Sequence, residues 1–166
     1  MAEVTTNNVW FLAVAVIFLP LTATSVTWTA PPPQWTQTNP NVIRTVNMSV
    51  LKGSTQVALR WSYTLSSGSL VSTTFSIRLN DGSFDDIGTI SGGNPIAFDK
   101  NDYRTRFDIS RSEQATLIIN RVTQTEETTF QCKLTTDSNV WSYRIRVIVA
   151  GEHCNVYLNN NLHLAR

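Results

Sequence analysis

The stretch Ala115–Leu134 (ATLIINRVTQTEETTFQCKL) constrains this chain more than any other. Leu117, Ile119 and Val122 form the apolar set of one strand. Phe130, Cys132 and Leu134 alternate with polar residues along a second, the period of two that a half-buried strand requires. Between them lies Thr123–Thr129, polar and rich in threonine, which reads as a corner joining the two strands.

The rest of the chain repeats this pattern. Val26–Ala30 and Val42–Leu51 read as edge segments, separated by Pro31–Pro33, which cannot donate to a ladder. Lys52-Gly53-Ser54 is a turn. Gln56–Leu65 alternates, with Val57, Leu59, Trp61 and Tyr63 on one face. After a loop at Ser66–Ser69, Val71–Leu79 puts Phe75, Ile77 and Leu79 on one face. Asn80-Asp81-Gly82 is the strongest hairpin signal and leads into Ser83–Ile90. A turn at Ser91–Pro95, a short strand within Ile96–Asp99 and a strand at Arg106–Ser110 follow. Thr135–Asn139 is a short hairpin loop. Trp141–Val149 carries Trp141, Tyr143, Ile145, Val147 and Val149 on one face. About nine short strands with regular turns predict an all-β, two-sheet antiparallel sandwich.

The 166 residues suit one domain with appendages, and the formal charge of +1 argues against a nucleic-acid binder. Val9–Leu21 is an apolar run too short for a comfortable bilayer span of about 20 residues. It fits the apolar core of a secretory signal peptide, with Ala23 and Ser25 as the small residues of a cleavage site, although Met1–Asn8 holds Glu3 and no basic residue. The expected organisation is a signal peptide over 1–25, a folded domain over 26–150 and a C-terminal tail over 151–166. The product is then secreted and extracellular, or the ectodomain of a truncated cell-surface protein, with no membrane span in the mature chain.

The order L-x-I-x-x-V, an acidic residue, then aromatic-x-Cys resembles the E–F corner of an immunoglobulin domain, with Phe130 before Cys132. Val57-Ala58-Leu59-Arg60-Trp61 resembles the strand B pattern V-x-L-x-C, and Arg106-Phe107 the opening of strand D. The resemblance, to the V-set of the immunoglobulin superfamily, covers about Val26–Ala150. It implies a variable-type Greek-key sandwich and an ion pair between Arg106 and Glu126. It also implies binding of an extracellular protein, another immunoglobulin-like domain being one such partner, in adhesion or immune-type recognition.

Three residues depart from that pattern. Trp61 stands where the first cysteine belongs, Phe75 replaces the strand C tryptophan, and Phe130 replaces the corner tyrosine. Losing such a disulfide costs roughly 2–5 kcal/mol. A tryptophan removes about 150–250 Å² from water, worth several kcal/mol at about 25 cal/mol/Å². The two effects are comparable, so Trp61, Phe75, Phe130 and Cys132 are expected to form a core without the bridge.

No nucleophile motif, metal-ligand spacing or phosphate loop occurs, so neither an enzyme nor a cofactor is expected. His153, Cys154 and His163 lie in the tail and are too few for a zinc site. Asp81, Asp85, Asp86 and Asp99 lack calcium-loop spacing and read as solvated acids. Asn47-Met48-Ser49 is a glycosylation sequon on an edge segment. If Phe75, Cys132 and Ile145 point inward, then Thr74, Ser76, Arg78, Gln131, Lys133, Arg144 and Arg146 point outward. Arg78, Lys133, Arg144 and Arg146 then cluster like charges on adjacent strands, which destabilises unless a counter-charge or ligand matches them. They form the candidate binding face, on the G-F-C-C′ sheet; Asp137, Ser138 and Asn139 form the candidate binding loop. Cys132 is expected to be an inert buried thiol and Cys154 to be exposed, pairing with a second Cys154 in a homodimer or with a partner; the alternative is a Cys132–Cys154 bridge, which needs Cα atoms within about 7 Å. The alternative is a secreted carbohydrate-binding sandwich, which needs Trp141 and Tyr143 turned outward.

Overall fold

The computed structural model describes residues 24–92, 94, 96–110 and 114–151. Val9–Leu21, Ala23 and Cys154 lie outside them. Among the described residues twelve strands run in the order β1 Val26–Ala30, β2 Trp35–Gln37, β3 Arg44–Leu51, β4 Thr55–Arg60, β5 Ser62–Leu65, β6 Leu70–Arg78, β7 Phe84–Ser91, β8 Ala97–Phe98, β9 Phe107–Ser110, β10 Thr116–Arg121, β11 Thr129–Thr136 and β12 Val140–Ala150. Among the described residues one α-helical segment occurs, α1, spanning Asn101–Arg106.

The strands form the two layers of an all-β sandwich. One layer is a six-stranded sheet, β3-β12-β11-β6-β7-β8. The other is made of two three-stranded sheets, β2-β1-β5 and β4-β10-β9. Ring contacts join the layers: Trp61 with Phe75, Phe107 with Phe130, and Trp28 with Tyr143. Leu117, Ile119 and Val122 of the corner stretch are fully buried, as are Phe130, Cys132 and Leu134. Their alternation therefore points into the space between the layers, where burial of apolar area drives folding.

Five details depart from the sequence reading. The pairing of β3 with β12 is parallel, from Tyr143 opposite Arg44 to Ala150 opposite Leu51, within an otherwise antiparallel sandwich. The strand expected over Gln56–Leu65 breaks at Trp61, whose backbone N–H donates to the Ala115 carbonyl at 3.0 Å. Beyond the break the Gln114 side chain replaces a ladder partner, accepting from the Tyr63 N–H and donating to its carbonyl. Past the prolines, β2 turns back along β1 and is fixed by a buried hydrogen bond from Trp28 Nε1 to Gln37 Oε1 at 3.0 Å. Arg106 closes α1, so the strand expected from it starts at Phe107. Leu79 sits in the hairpin after β6 and is exposed, because its N–H bonds the Ser83 carbonyl to close the turn. Gly82 supplies that turn's positive φ of 88°.

Candidate functional site

The outer face of the six-stranded sheet carries the four cations expected there, and the structure sorts them. The Lys133 ammonium lies 2.7 Å from Asp86 Oδ1. The same oxygen accepts from the Ser76 hydroxyl at 2.6 Å. Asp86, read from the sequence as a solvated acid, is the counter-charge of this face. Arg144 donates from Nε to Gln131 Oε1 at 2.7 Å, and its guanidinium carbon lies 4.6 Å from the centre of the Phe84 ring. Burial, and after it the charge of Arg78, lowers the Arg144 guanidinium from its ordinary range. It remains charged at neutral pH. Arg78 reaches a neutral acceptor, the Gly82 carbonyl, at 3.4 Å. Arg146 makes no ion pair among the described residues. Ser76 and Gln131, expected to be exposed on this face, are covered by these longer side chains.

Asp86 reaches the outer face through a bulge. In the pairing of β6 with β7, Phe75 stands opposite Gly88 while Ser76 stands opposite Asp86, so the register skips Ile87. An extra residue of this kind reverses which side chains point outward. Asp85 consequently serves the other side. It binds Lys100 Nζ at 2.5 Å and accepts the Tyr103 phenol, tying α1 to β7. Those two hydrogen bonds lower the Asp85 carboxyl, whereas burial and the Asp85 bond push the Tyr103 phenol up to about 12.

At one end of the sandwich three segments meet. The Asp137 N–H donates to the Ser69 carbonyl, and Asn139 Nδ2 donates to Thr24 Oγ1 at 2.9 Å. Ser25 and Ser66 exchange hydrogen bonds. Asp137 and Ser138 are exposed and Asn139 half-buried, flanked by the exposed aliphatics Leu70, Val71 and Val140. Trp141 and Tyr143 face the core, so the outward aromatic platform needed for carbohydrate stacking is not formed by β12.

Arg106 Nη2 lies 2.8 Å from Glu126 Oε1. Burial alone would raise the Glu126 carboxyl. Hydrogen bonds from the Thr123 hydroxyl and backbone, Arg106 and Thr125 outweigh it and hold that carboxyl below its usual range. Cys132 is a free thiol and fully buried, and burial pushes its pKa far above the ordinary thiol range. Asn47 is exposed on β3, opposite Arg146 in the register. No group of three metal-binding side chains occurs among the described residues.

No protein-family model matches the chain, and no curated protein is similar to it in sequence. Among solved structures 839 chains match, so the fold is a widely used one and says little about any particular ligand. One match is a chain from the structure described as the structural basis of T cell specificity and activation by the bacterial superantigen toxic shock syndrome toxin-1. It is 12% identical, with a TM-score of 0.51, and the match covers 64% of this chain and 92% of that one. At that identity the likeness is one of fold alone.

Proposed function

We propose that this chain is a V-set-like immunoglobulin module that works outside the cell by binding a protein partner. Its binding surface is the outer face of β6, β7, β11 and β12, or the loop end around Asp137–Asn139. The V-set reading is supported by the parallel pairing of β3 with β12, by the added strands β7 and β8 on the same sheet, and by the Arg106–Glu126 ion pair. The extracellular assignment rests on the apolar leader. Cys154 offers a covalent route to a homodimer or to a partner.

The observation that carries the binding role is the open face of the six-stranded sheet, on which three guanidiniums have no carboxylate partner among the described residues. Like charges gathered on one face, with Arg78 on β6 and Arg144 and Arg146 on β12 and β11 between them, repel one another and cost the folded chain stability. A binding partner that matches the charge accounts for it. The test uses the secreted protein, multimerised on a fluorescent carrier and applied to a panel of cell types. Protease-sensitive surface staining is the expected result. Absence of staining on every cell type, with a correctly folded reagent, overturns the reading.

A further inference from the structure

We propose that Arg78, Arg144 and Arg146 form a docking site for an extended acidic segment of a partner protein, one that presents carboxylates on alternate residues. This rests on the reading of the sheet face as a recognition surface and gives that surface a ligand chemistry and a register. Of the four cations on the face, Lys133 is already matched by Asp86, which leaves the three arginines. Arg78 and Arg146 line one recess of about 360 Å³, together with Asn80 and Thr128. Among the described residues the recess holds one acid, Glu127, whose carboxylate accepts from Gln124 and forms no ion pair with either arginine.

Arg144 and Arg146 sit two residues apart on β12, so their Cα atoms repeat at about 6.8 Å along the strand. An extended peptide repeats its alternate side chains at the same interval, so successive carboxylates fall in register with successive guanidiniums. The guanidinium fork matches a carboxylate with two parallel hydrogen bonds. Gln131 and the Phe84 ring already hold the Arg144 fork in place, so little rotamer freedom is lost when it is engaged. A second copy of this chain, docked by the same face around a two-fold axis, would set these arginines against themselves. The geometry therefore favours a different protein with acidic side chains.

The experiment measures fluorescence anisotropy with the full secreted protein and four probes. These are a peptide alternating Glu and Thr, one of the same composition with its Glu residues contiguous, the Gln-Thr counterpart, and a sulfated heparin oligosaccharide. The alternating peptide is expected to bind most tightly and the Gln-Thr peptide not at all. R146Q should weaken binding about tenfold, in the range of a charge-assisted pair. The R78E/R146E protein should lose the acidic peptide and acquire binding of a Lys-Thr peptide, a gain that misfolding cannot produce. No binding of the alternating peptide at low salt, equal binding by R78E/R146E, or binding of the oligosaccharide alone would each overturn the proposal. Cell staining that persists undiminished in R78E/R146E would overturn it while leaving the broader binding role intact.

Discussion

Trp61 packs against Phe75 across the sandwich with their ring centroids 5.8 Å apart, and Phe75 stands opposite Cys132 in the neighbouring strand pair. The tryptophan is fully buried, and its indole N–H has no hydrogen-bond partner among the described residues. Trp61→Ala should therefore destabilise the domain by about 3–5 kcal/mol, as aromatic truncations in cores do. Trp61→Phe should cost much less, about 1 kcal/mol, because the lost volume is partly offset by removing a buried unpaired donor. Urea denaturation of the two variants checks both values. A Phe variant as damaged as the Ala variant would mean that the indole N–H is engaged after all.

The Arg106–Glu126 pair predicts a pH dependence. A carboxyl whose folded pKa lies below its unfolded value adds stability above the unfolded value, near pH 4.5. It loses that stability as the pH falls through the folded value. Glu126→Gln should cost roughly 1.5–3 kcal/mol at pH 7, the range for hydrogen bonds to a charged group. The gap between the two proteins should narrow as the pH drops below about 4. Arg106 is partly exposed, so its released charge can be hydrated and the full penalty of a stranded buried ion does not arise. Thermal melts of both proteins from pH 7 to pH 2.5 measure the effect, and a constant gap across that range would contradict it.

Cys132 should be inert in the folded protein. Only a thiolate reacts quickly with disulfide reagents, and burial keeps this thiol protonated and out of contact with water. Labelling of the reduced protein should leave one thiol protected until unfolding. The rate for that thiol should rise with urea in step with the unfolded fraction. Rapid labelling of both thiols without denaturant would show that the sheets open locally at this point.

At the loop end, Gly68 has φ +84°, and a Cβ built on it would lie 2.6 Å from Asp137 Oδ1. Gly68→Ala should cost about 1–2 kcal/mol for the left-handed backbone alone. It should also push the Asp137 loop away. Hydrogen exchange at the Asp137 amide, which now bonds the Ser69 carbonyl, should accelerate selectively. Unchanged exchange at that amide would mean that the two loops are not coupled.

Strand alternation is a local property, so the inward faces of β6, β11 and β12 could be read directly from Phe75, Cys132 and Ile145. Features that depend on contacts distant in sequence could not. The bulge that skips Ile87 reverses the parity of β7 and places Asp86 beside Lys133, and no pattern within Ser83–Ile90 announces it. β2 is three residues long and is fixed by the Trp28–Gln37 bond, a contact between side chains on two strands. α1 is only six residues long and is held by Tyr103 on Asp85, without the apolar periodicity that reveals longer helices. The arginines were visible as residues. Their sorting into matched and unmatched charges required Asp86, Gln131 and Phe84 to be placed around them.

The parallel register of β3 and β12 also determines how the domain carries load. Tension applied between Arg44 and Ala150 acts at opposite ends of the same eight-pair ladder. The two strands are then pulled past each other lengthwise, and all the hydrogen bonds of the ladder share the force at once. Were the pair antiparallel, both ends would lie together and the bonds would break in succession, like a zip. Force applied across those two ends would thus meet β3 and β12 acting together as a clamp.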